Sequence, residues 1–245
     1  MSLVRTEAFV LKAIRFGETS VIYRLFTRDQ GVVPVMARGV KRPKSRFGGV
    51  IEPFRRLQVT YYSRDNRDIQ TLSDAELVTI YPAITESLER LEAGGRWFRL
   101  LRAVLPDRAP AVTMFDLVPV ALERLCHTPV ARTSRWETFH RAAAVAHLGV
   151  SPELTMCVAC GRPVDGSEIP SFSIADGGVV CSRCRRERTG CRSLSPAEYA
   201  LLNLYHHPDY ELLEQLDENT NGDAKVRDLV REFVRYHADL RPGAA

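Results

Sequence analysis

Cysteines spaced as Cys157-Val-Ala-Cys160 and Cys181-Ser-Arg-Cys184, twenty residues apart, constrain this chain more than any other feature. Two intervening residues let one turn present both sulfurs to a single ion. Four thiolates in two such pairs match tetrahedral Zn2+, with Zn–S distances of about 2.3 Å. Gly161 suits a tight knuckle in which backbone N–H groups face the sulfurs. Between the pairs, residues 171–174 and 179–181 flank Asp176-Gly177-Gly178, which reads as a short hairpin with a glycine turn. A helix is expected from Arg185 onwards. Hairpin and helix on one ion describe a ribbon or treble-clef-like module. Four cysteines fill the coordination sphere and leave no place for water, so the ion reads as a structural brace. An iron–sulfur cluster and a redox dithiol are the competing readings, and the second wants a thioredoxin-like context that is not seen here. Cys191 is a spare thiol or an alternative ligand, and Cys126 reads as a buried thiol in an apolar helix.

The surroundings favour metal over disulfides. The N-terminal stretch carries Arg5, Glu7, Lys12 and Arg15 where a signal peptide needs an apolar core. No run reaches the roughly 18–20 apolar residues of a membrane span. A cytoplasmic, nucleoid-associated protein with no membrane partner is expected, in a compartment where thiols stay reduced.

Charge is unevenly distributed. The net charge of +4 conceals +6 over residues 1–80, where fourteen cations meet eight acids, and −2 over the remainder. The 34 basic residues include only four lysines: Lys12, Lys41, Lys44 and Lys225. A basic N-terminal third on a mildly acidic body suits a polyanion binder, although arginines on solvated surfaces would give the same sum.

That basic third also has the pattern of strands. Residues 6–14, 20–27, 31–37, 57–63 and 69–78 are rich in β-branched and aromatic residues and are separated by Gly, Asp and Asn turns. Five strands in about eighty residues predict a small closed barrel, with an OB-fold as leading candidate and an SH3-like barrel not separated by spacing alone. From Pro82 the period becomes helical. Helices are expected over 84–105, bent or broken at Gly94-Gly95, then over 115–127, 134–148, 196–205 and 223–240, with Ser134, Ser195 and Asp223 as caps. The expected fold class is α+β multidomain. An OB-fold barrel spans 1–80, a helical domain 81–154, a four-cysteine zinc module 155–192, and C-terminal helices 193–245 complete the helical domain.

The densest charge lies between two strands. Arg38, Lys41, Arg42, Lys44 and Arg46 place five cations within nine residues, and phosphate contact is the chemistry such a loop offers. Arg55 and Arg56 read as extensions of the same DNA-binding surface. Phe47, Tyr61 and Tyr62 are either base-stacking platforms or barrel core. Arg183, Arg185 and Arg186, with Arg188 and Arg192, form a secondary cationic cluster beside the cysteines. Other motifs dissolve on inspection. A phosphate loop ending at Lys44-Ser45 would need glycines where Arg38 and Pro43 stand. The stretch Asp217–Asp228 approaches a calcium loop but ends in Asp and carries Lys225, and a polar turn explains it more simply. No catalytic triad, nucleophile elbow or paired-carboxylate pattern appears, so no catalytic residues are expected.

AFVLKAIRFGETSVIYRLFT, ARGVKRPKSR and GGVIEPFRRLQV, together with HLGVSPELTMCVACG and YHADLRP, resemble the bacterial RecO family of recombination mediators, in its zinc-bearing subset. The resemblance covers nearly the whole chain. It implies an N-terminal OB-fold, a helical domain and a zinc module. It also implies a non-enzymatic DNA repair and recombination protein. Such a protein binds single- and double-stranded DNA without sequence preference and anneals complementary strands. Its implied partners are RecR and the acidic C-terminal tail of single-strand-binding protein, and it helps RecA load onto coated strands. The basic loop corresponds to the DNA-contacting barrel surface of that family. The alternative classes are a zinc-ribbon nucleic-acid-binding regulator, which should prefer particular duplex sequences, and a nucleic-acid-modifying enzyme, which should show acids for Mg2+ or an open zinc position.

Overall fold

Alternation of buried and exposed side chains builds five strands before the first helix: β1 Ser2–Phe16, β2 Ser20–Thr27, β3 Gly31–Ala37, β4 Arg55–Ser63 and β5 Gln70–Ile80. β1 is long enough to serve two neighbours. Its first half runs antiparallel to β4, from Ser2 opposite Ser63 to Phe9 opposite Arg56. Its second half pairs with β2, ending with Phe16 opposite Ser20. β2 continues into β3, and a short parallel pairing of Val35 with Gln70 and Met36 with Thr71 joins β3 to β5. The barrel closes in the order β1-β2-β3-β5-β4. This order, with its parallel β3–β5 closure, is the OB arrangement, and it decides the choice that strand spacing left open. The barrel core is Ala8, Val10, Tyr23, Leu25, Val33, Val35, Leu57, Val59 and Tyr61, joined by Phe47 and Ile51 from the β3–β4 connection.

The computed structural model describes residues 2–164, 170–207, 209–217 and 220–238. The chain divides into two units, Met1–Val130 and Ala131–Ala245. The first holds the barrel and three helices: α1 Pro82–Thr85, α2 Leu88–Val104 and α3 Val112–His127. The division parts the helices differently from a 81–154 helical domain, since α1–α3 fall with the barrel. Phe115 of α3 packs against Phe9 and Phe26, each with ring centroids 5.3 Å away, and so joins the helical layer to the sheet.

α2 does not break at Gly94-Gly95. It starts where Ser87 accepts from the Arg90 N–H and runs unbroken to Val104. The first glycine has a packing reason. A Cβ at Gly94 would stand 2.9 Å from Cε1 of Phe54 and 3.3 Å from Cδ2 of Leu125, so only hydrogen fits. A Cβ at Gly95 would meet nothing within 4 Å.

The second unit begins with α4, Thr133–Ala146, whose N-cap is Arg132 rather than Ser134. Two short antiparallel strands follow, β6 Ser171–Ser173 and β7 Gly178–Val180, joined by the expected glycine turn. The helix at the second cysteine pair starts earlier than expected: α5 is Ser182–Arg185, capped by Cys181. β8 Arg192–Ser193 adds to β6, and α6 Pro196–Tyr205 opens with a Ser195–Glu198 capping box. α7 Glu211–Glu214 and α8 Asp223–His237 complete the unit. α8 takes Gly222, at φ 83°, as its N-cap instead of Asp223. Asp223 is buried. Its carboxylate accepts from Arg135 Nε at 3.0 Å and from the Tyr205 hydroxyl at 2.6 Å, and also pairs with Arg227. Arg135 is further held by the carbonyls of Leu216 and Asp217. This network removes Asp223 from any calcium loop. Glu218 and Asn219 of that motif, like residues 239–242 of the C-terminal motif and the end of the expected 223–240 helix, lie outside the described residues.

Two predictions follow from this packing. Gly94→Leu should destabilise the first unit by about 1–3 kcal/mol through overpacking. Gly95→Ala should stabilise it by up to about 1 kcal/mol, because glycine is the poorer helix former. Urea denaturation of both variants checks the pair. His206 yields the other. Its Nε2 is buried without a partner, and burial pushes its pKa down to about 4. The folded state therefore holds the neutral ring. Its stability is full above the unfolded value near 6.5 and is lost as pH falls from there toward 4. Stability, read by urea denaturation, should decline over that window by less in His206→Gln, with a difference of about 3 kcal/mol at the acid end.

Candidate metal centre and nucleic-acid interface

The four cysteines meet. The sulfurs of Cys157, Cys160, Cys181 and Cys184 all lie within 4.8 Å of one another, and Cys160 and Cys181 are 3.9 Å apart. Sulfurs around a tetrahedral ion at about 2.3 Å stand roughly 3.8 Å apart, so this set fits a metal ion with little adjustment. Local geometry explains the approach. The Cys157 N–H donates to Arg162 O at 2.8 Å, and the Gly161 N–H, at φ 69°, returns to Cys157 O at 2.8 Å, closing the knuckle. Val158 N–H donates to Val179 O, and Val179 N–H to Glu153 O, which ties the knuckle to β7. The Cys181 N–H then donates to Cys157 Sγ at 3.3 Å. Cys157 and Cys181 are buried, Cys184 is partly buried and Cys160 is exposed.

The electrostatics agree with a cation-binding role. Cys181 is drawn down to about 6, first by the Cys184 backbone N–H and then by Arg162, whose Nη2 donates to Cys181 Sγ at 3.3 Å. Cys160 is lowered by the Arg162 backbone and guanidinium. Cys184 is pushed up to about 12 because it shares hydrogen bonds with Cys160 and Cys181. Four thiols at this spacing ionise together only against a positive ion. Cys191 packs against the cluster but stands outside the group of four. Cys126 is partly buried, and desolvation raises its thiol pKa.

Two supporting residues carry no motif of their own. Arg162 donates to the cluster. Glu153 accepts from the Thr155 N–H at 2.7 Å, the Thr155 hydroxyl at 2.6 Å and the Met156 N–H at 2.9 Å, contacts that hold its carboxyl below the usual range and shape the approach to Cys157. The nearby signal was Pro152-Glu153-Leu154 ahead of the knuckle, readable only as part of a longer resemblance.

The basic connection forms a ladder of turns. Arg42, Ser45, Gly48 and Val50 each donate a backbone N–H to the carbonyl three residues earlier, at 3.0–3.2 Å. Lys41 N–H donates to Thr19 O at 3.0 Å and Gly39 N–H to Ser20 Oγ at 3.4 Å, which moors the ladder on the β1–β2 turn. The side chains of Arg38, Lys41, Arg42, Lys44 and Arg46 are exposed. Among the described residues none of the five pairs with a carboxylate, and Arg46 lies 4.8 Å above the Phe47 ring. Arg38, Arg42, Lys44 and Arg46 line a cleft of about 440 Å³ with Tyr62, Thr71 and Ser73. Arg38, Tyr62 and Thr71 also line an adjoining cleft of about 300 Å³ that continues to Arg64, Arg67 and Gln70.

Not every expected residue joins this surface. Arg55 bends back to the carbonyls of Gly49 and Val50, and Arg56 pairs with Glu7 at 2.6 Å. Both brace the base of the loop. Phe47 and Tyr61 are buried core, at 4% and 2% exposure, while Tyr62 turns outward at 39%. Alternation along β4 separates the two tyrosines: Tyr61 points in, so Tyr62 must point out. Arg64 and Arg67, absent from the sequence-based set, line the second cleft. Near the cysteines, Arg183, Arg185 and Arg186 are exposed, whereas Arg188 pairs with Asp176 at 2.6 Å and Arg192 with Glu232.

An OB barrel bearing a moored cationic ladder, with a separate unit that gathers four thiols, defines an α+β protein of a barrel-plus-metal-module class. Comparison with known proteins makes this specific. Residues 1–81 match the family described as recombination protein O N terminal, and residues 85–244 match recombination protein O C terminal. The chain is 33% identical over 238 residues to the DNA repair protein RecO of Salinibacter ruber, covering 97% of this chain and 89% of that one. It is 35% identical to the protein of the same name from Bifidobacterium adolescentis, covering 98% and 96%. For that of Bacillus pumilus the figures are 29% identity, 97% and 90%. The chain belongs to the RecO family.

Elemental analysis of the purified chain should find one metal ion per molecule. Replacing Cys157 and Cys160 together with Ser should abolish it and lower the melting temperature, since binding energy at such a site is folding energy. Cys191→Ser should keep the metal.

Proposed function

We propose that this chain is a non-catalytic DNA repair and recombination mediator whose barrel holds nucleic acid strands by their phosphates. The observation that carries the reading is the set of five exposed cations at 38–46, none paired with a carboxylate among the described residues, four of which line a cleft with the outward ring of Tyr62. Phosphate contacts from such a ladder are independent of sequence and serve single and double strands alike. Tyr62 adds a face on which an unpaired base stacks. Lys41, Arg42, Lys44 and Arg46 neutralise one strand, so a second complementary strand approaches at lower electrostatic cost, and annealing follows. No bond is made or broken.

In the four-cysteine module, residues 155–192, the resident ion is Zn2+. Four thiolates satisfy its tetrahedral preference and leave it no open position, so it braces the chain rather than reacting. Arg183, Arg185 and Arg186 beside it offer a secondary phosphate contact. Family kinship supports partnership with RecR, with the acidic tail of single-strand-binding protein and, through them, with RecA loading on coated strands in the cytoplasm. No helix among the described residues is long and apolar enough to cross a membrane.

Combining Lys41→Glu, Arg42→Glu and Lys44→Glu should weaken binding of short oligothymidylate about 100-fold at moderate salt. It should also reduce the salt slope by about 2, the share of three single-strand phosphate contacts. The melting temperature should not change. Tyr62→Ala should cost single-strand affinity about tenfold with the salt slope intact. Fluorescence anisotropy across a salt series reads both, and unchanged affinity in the triple variant would sink the loop assignment.

A further inference from the structure

We infer that Arg162 is a positioning residue of the metal centre: its guanidinium clasps one sulfur from each cysteine pair, steadies the loaded site and shields the sulfurs from attack. This role rests on the reading of the four cysteines as a zinc site, and adds what governs how firmly that ion is held.

Four thiolates around one Zn2+ make a dianion. Cys157 and Cys181 are buried, so part of that charge sits out of water and must find donors. The backbone supplies some of them. The Cys181 N–H donates to Cys157 Sγ at 3.3 Å, and the Cys184 N–H serves the Cys181 sulfur. Arg162 adds a full positive charge. Its Nη2 donates to Cys181 Sγ at 3.3 Å, and its guanidinium also hydrogen-bonds the Cys160 sulfur. Its backbone N–H donates to that same Cys160 sulfur, and its carbonyl accepts from the Cys157 N–H at 2.8 Å. One residue thus touches three of the four ligands and bridges both pairs.

The chain on either side of the knuckle holds Arg162 in place. The Val164 N–H donates to Thr155 O at 2.7 Å, and Met156 bridges Pro163. Arg162 is exposed and, among the described residues, meets no carboxylate that would draw it away. Cys160 is the exposed ligand, the sulfur that an alkylating reagent or a competing chelator meets first. A guanidinium on that sulfur acts in two ways. Its charge stabilises the loaded dianion, and its N–H donors draw electron density from the sulfurs, which slows their attack on electrophiles. Lysine would supply the charge without the fork that spans two sulfurs.

The test uses the full chain loaded with Zn2+. Competition with a chromophoric chelator measures affinity, and iodoacetamide measures sulfur reactivity. Co2+ in place of Zn2+ reports the sulfurs through its thiolate charge-transfer band. Arg162→Gln should weaken Zn2+ binding about tenfold or more and speed alkylation several-fold. Its Co2+ band should move to longer wavelength, because a sulfur stripped of its donors gives up an electron more easily. Arg162→Lys should recover only part of each change. Arg185→Ala, which removes an exposed cation beside Cys184, should leave all three readings at the wild-type value. Wild-type affinity, alkylation and band position in Arg162→Gln overturn the assignment. Full rescue by Lys, or an equal loss in Arg185→Ala, reduces the effect to local charge and overturns it too. The band is read on loaded, folded protein, so lost affinity with an unmoved band marks a merely structural role and counts equally against the clasp. A wild-type chain that holds neither Zn2+ nor Co2+ overturns the metal reading itself, whereas one that holds Zn2+ regardless of Arg162 overturns the clasp alone.

Discussion

Five like charges within nine residues repel one another, and a free loop of that composition would extend into solvent. What holds this one against the barrel is the burial of apolar side chains from the connection itself, Phe47 foremost. Phe47 sits among the core side chains of the barrel at 4% exposure, with Ile51 beside it. A fully buried phenylalanine is worth about 1.5–3 kcal/mol, comparable to what like charges at surface spacing cost in water. The turn ladder and the two hydrogen bonds to Thr19 and Ser20 then make the conformation single rather than merely compact. Arg38, Arg42, Lys44 and Arg46 stay near a wall that also carries Tyr62. The anchor is thus as much a part of the interface as the cations. A ring that looks like a stacking platform in the sequence serves instead by pointing inward.

The second unit solves a different shortage. β6 and β7 have three residues each and β8 has two, too few for a sheet to stand alone. Among the described residues, the apolar side chains packed round the cysteines are small: Val158, Ala159, Val164 and Val180. Such a module needs a staple, and the four sulfurs provide its jaws. The surrounding helices are held by buried polar bonds, with Asp223 meeting Arg135, Tyr205 and Arg227, and Glu137 paired with Arg141 at 3.3 Å. Buried charges of this kind specify one arrangement strongly, because a lost partner leaves the other uncompensated.

Much of this was legible in the sequence, and the exceptions share a cause. The five strands, the glycine turn at 176–178 and the four-cysteine set are local patterns: alternation, turn chemistry and spacing report them directly. The barrel order was not local. It rests on two parallel residue pairs between β3 and β5, and spacing alone could not separate it from another small barrel. Gly94-Gly95 misled because glycine propensity argues for a break, whereas at Gly94 a tertiary contact with Phe54 requires the missing Cβ and keeps the helix whole. Arg55 and Arg56 misled for the same reason. Composition shows that they are cations, but only the folded chain shows that Gly49, Val50 and Glu7 already claim them. Glu153 and Arg162 were missed because a positioning residue has no spacing rule.

The arginine excess therefore separates into two populations with different meanings. Arg24, Arg28, Arg56, Arg135, Arg141, Arg188, Arg192 and Arg227 each face an acid, and these pairs build or brace the protein. A paired guanidinium has little left to offer a phosphate, since a new contact must first break an existing one. Among the described residues, Arg38, Arg42, Lys44 and Arg46 face no acid and line a cleft instead. That cleft carries an outward tyrosine and a polar wall. A polyanion with stacking bases complements such a surface, because its charges repeat along a backbone and its rings need a face. Freedom from a partner, rather than abundance, is what marks an arginine here as available for binding.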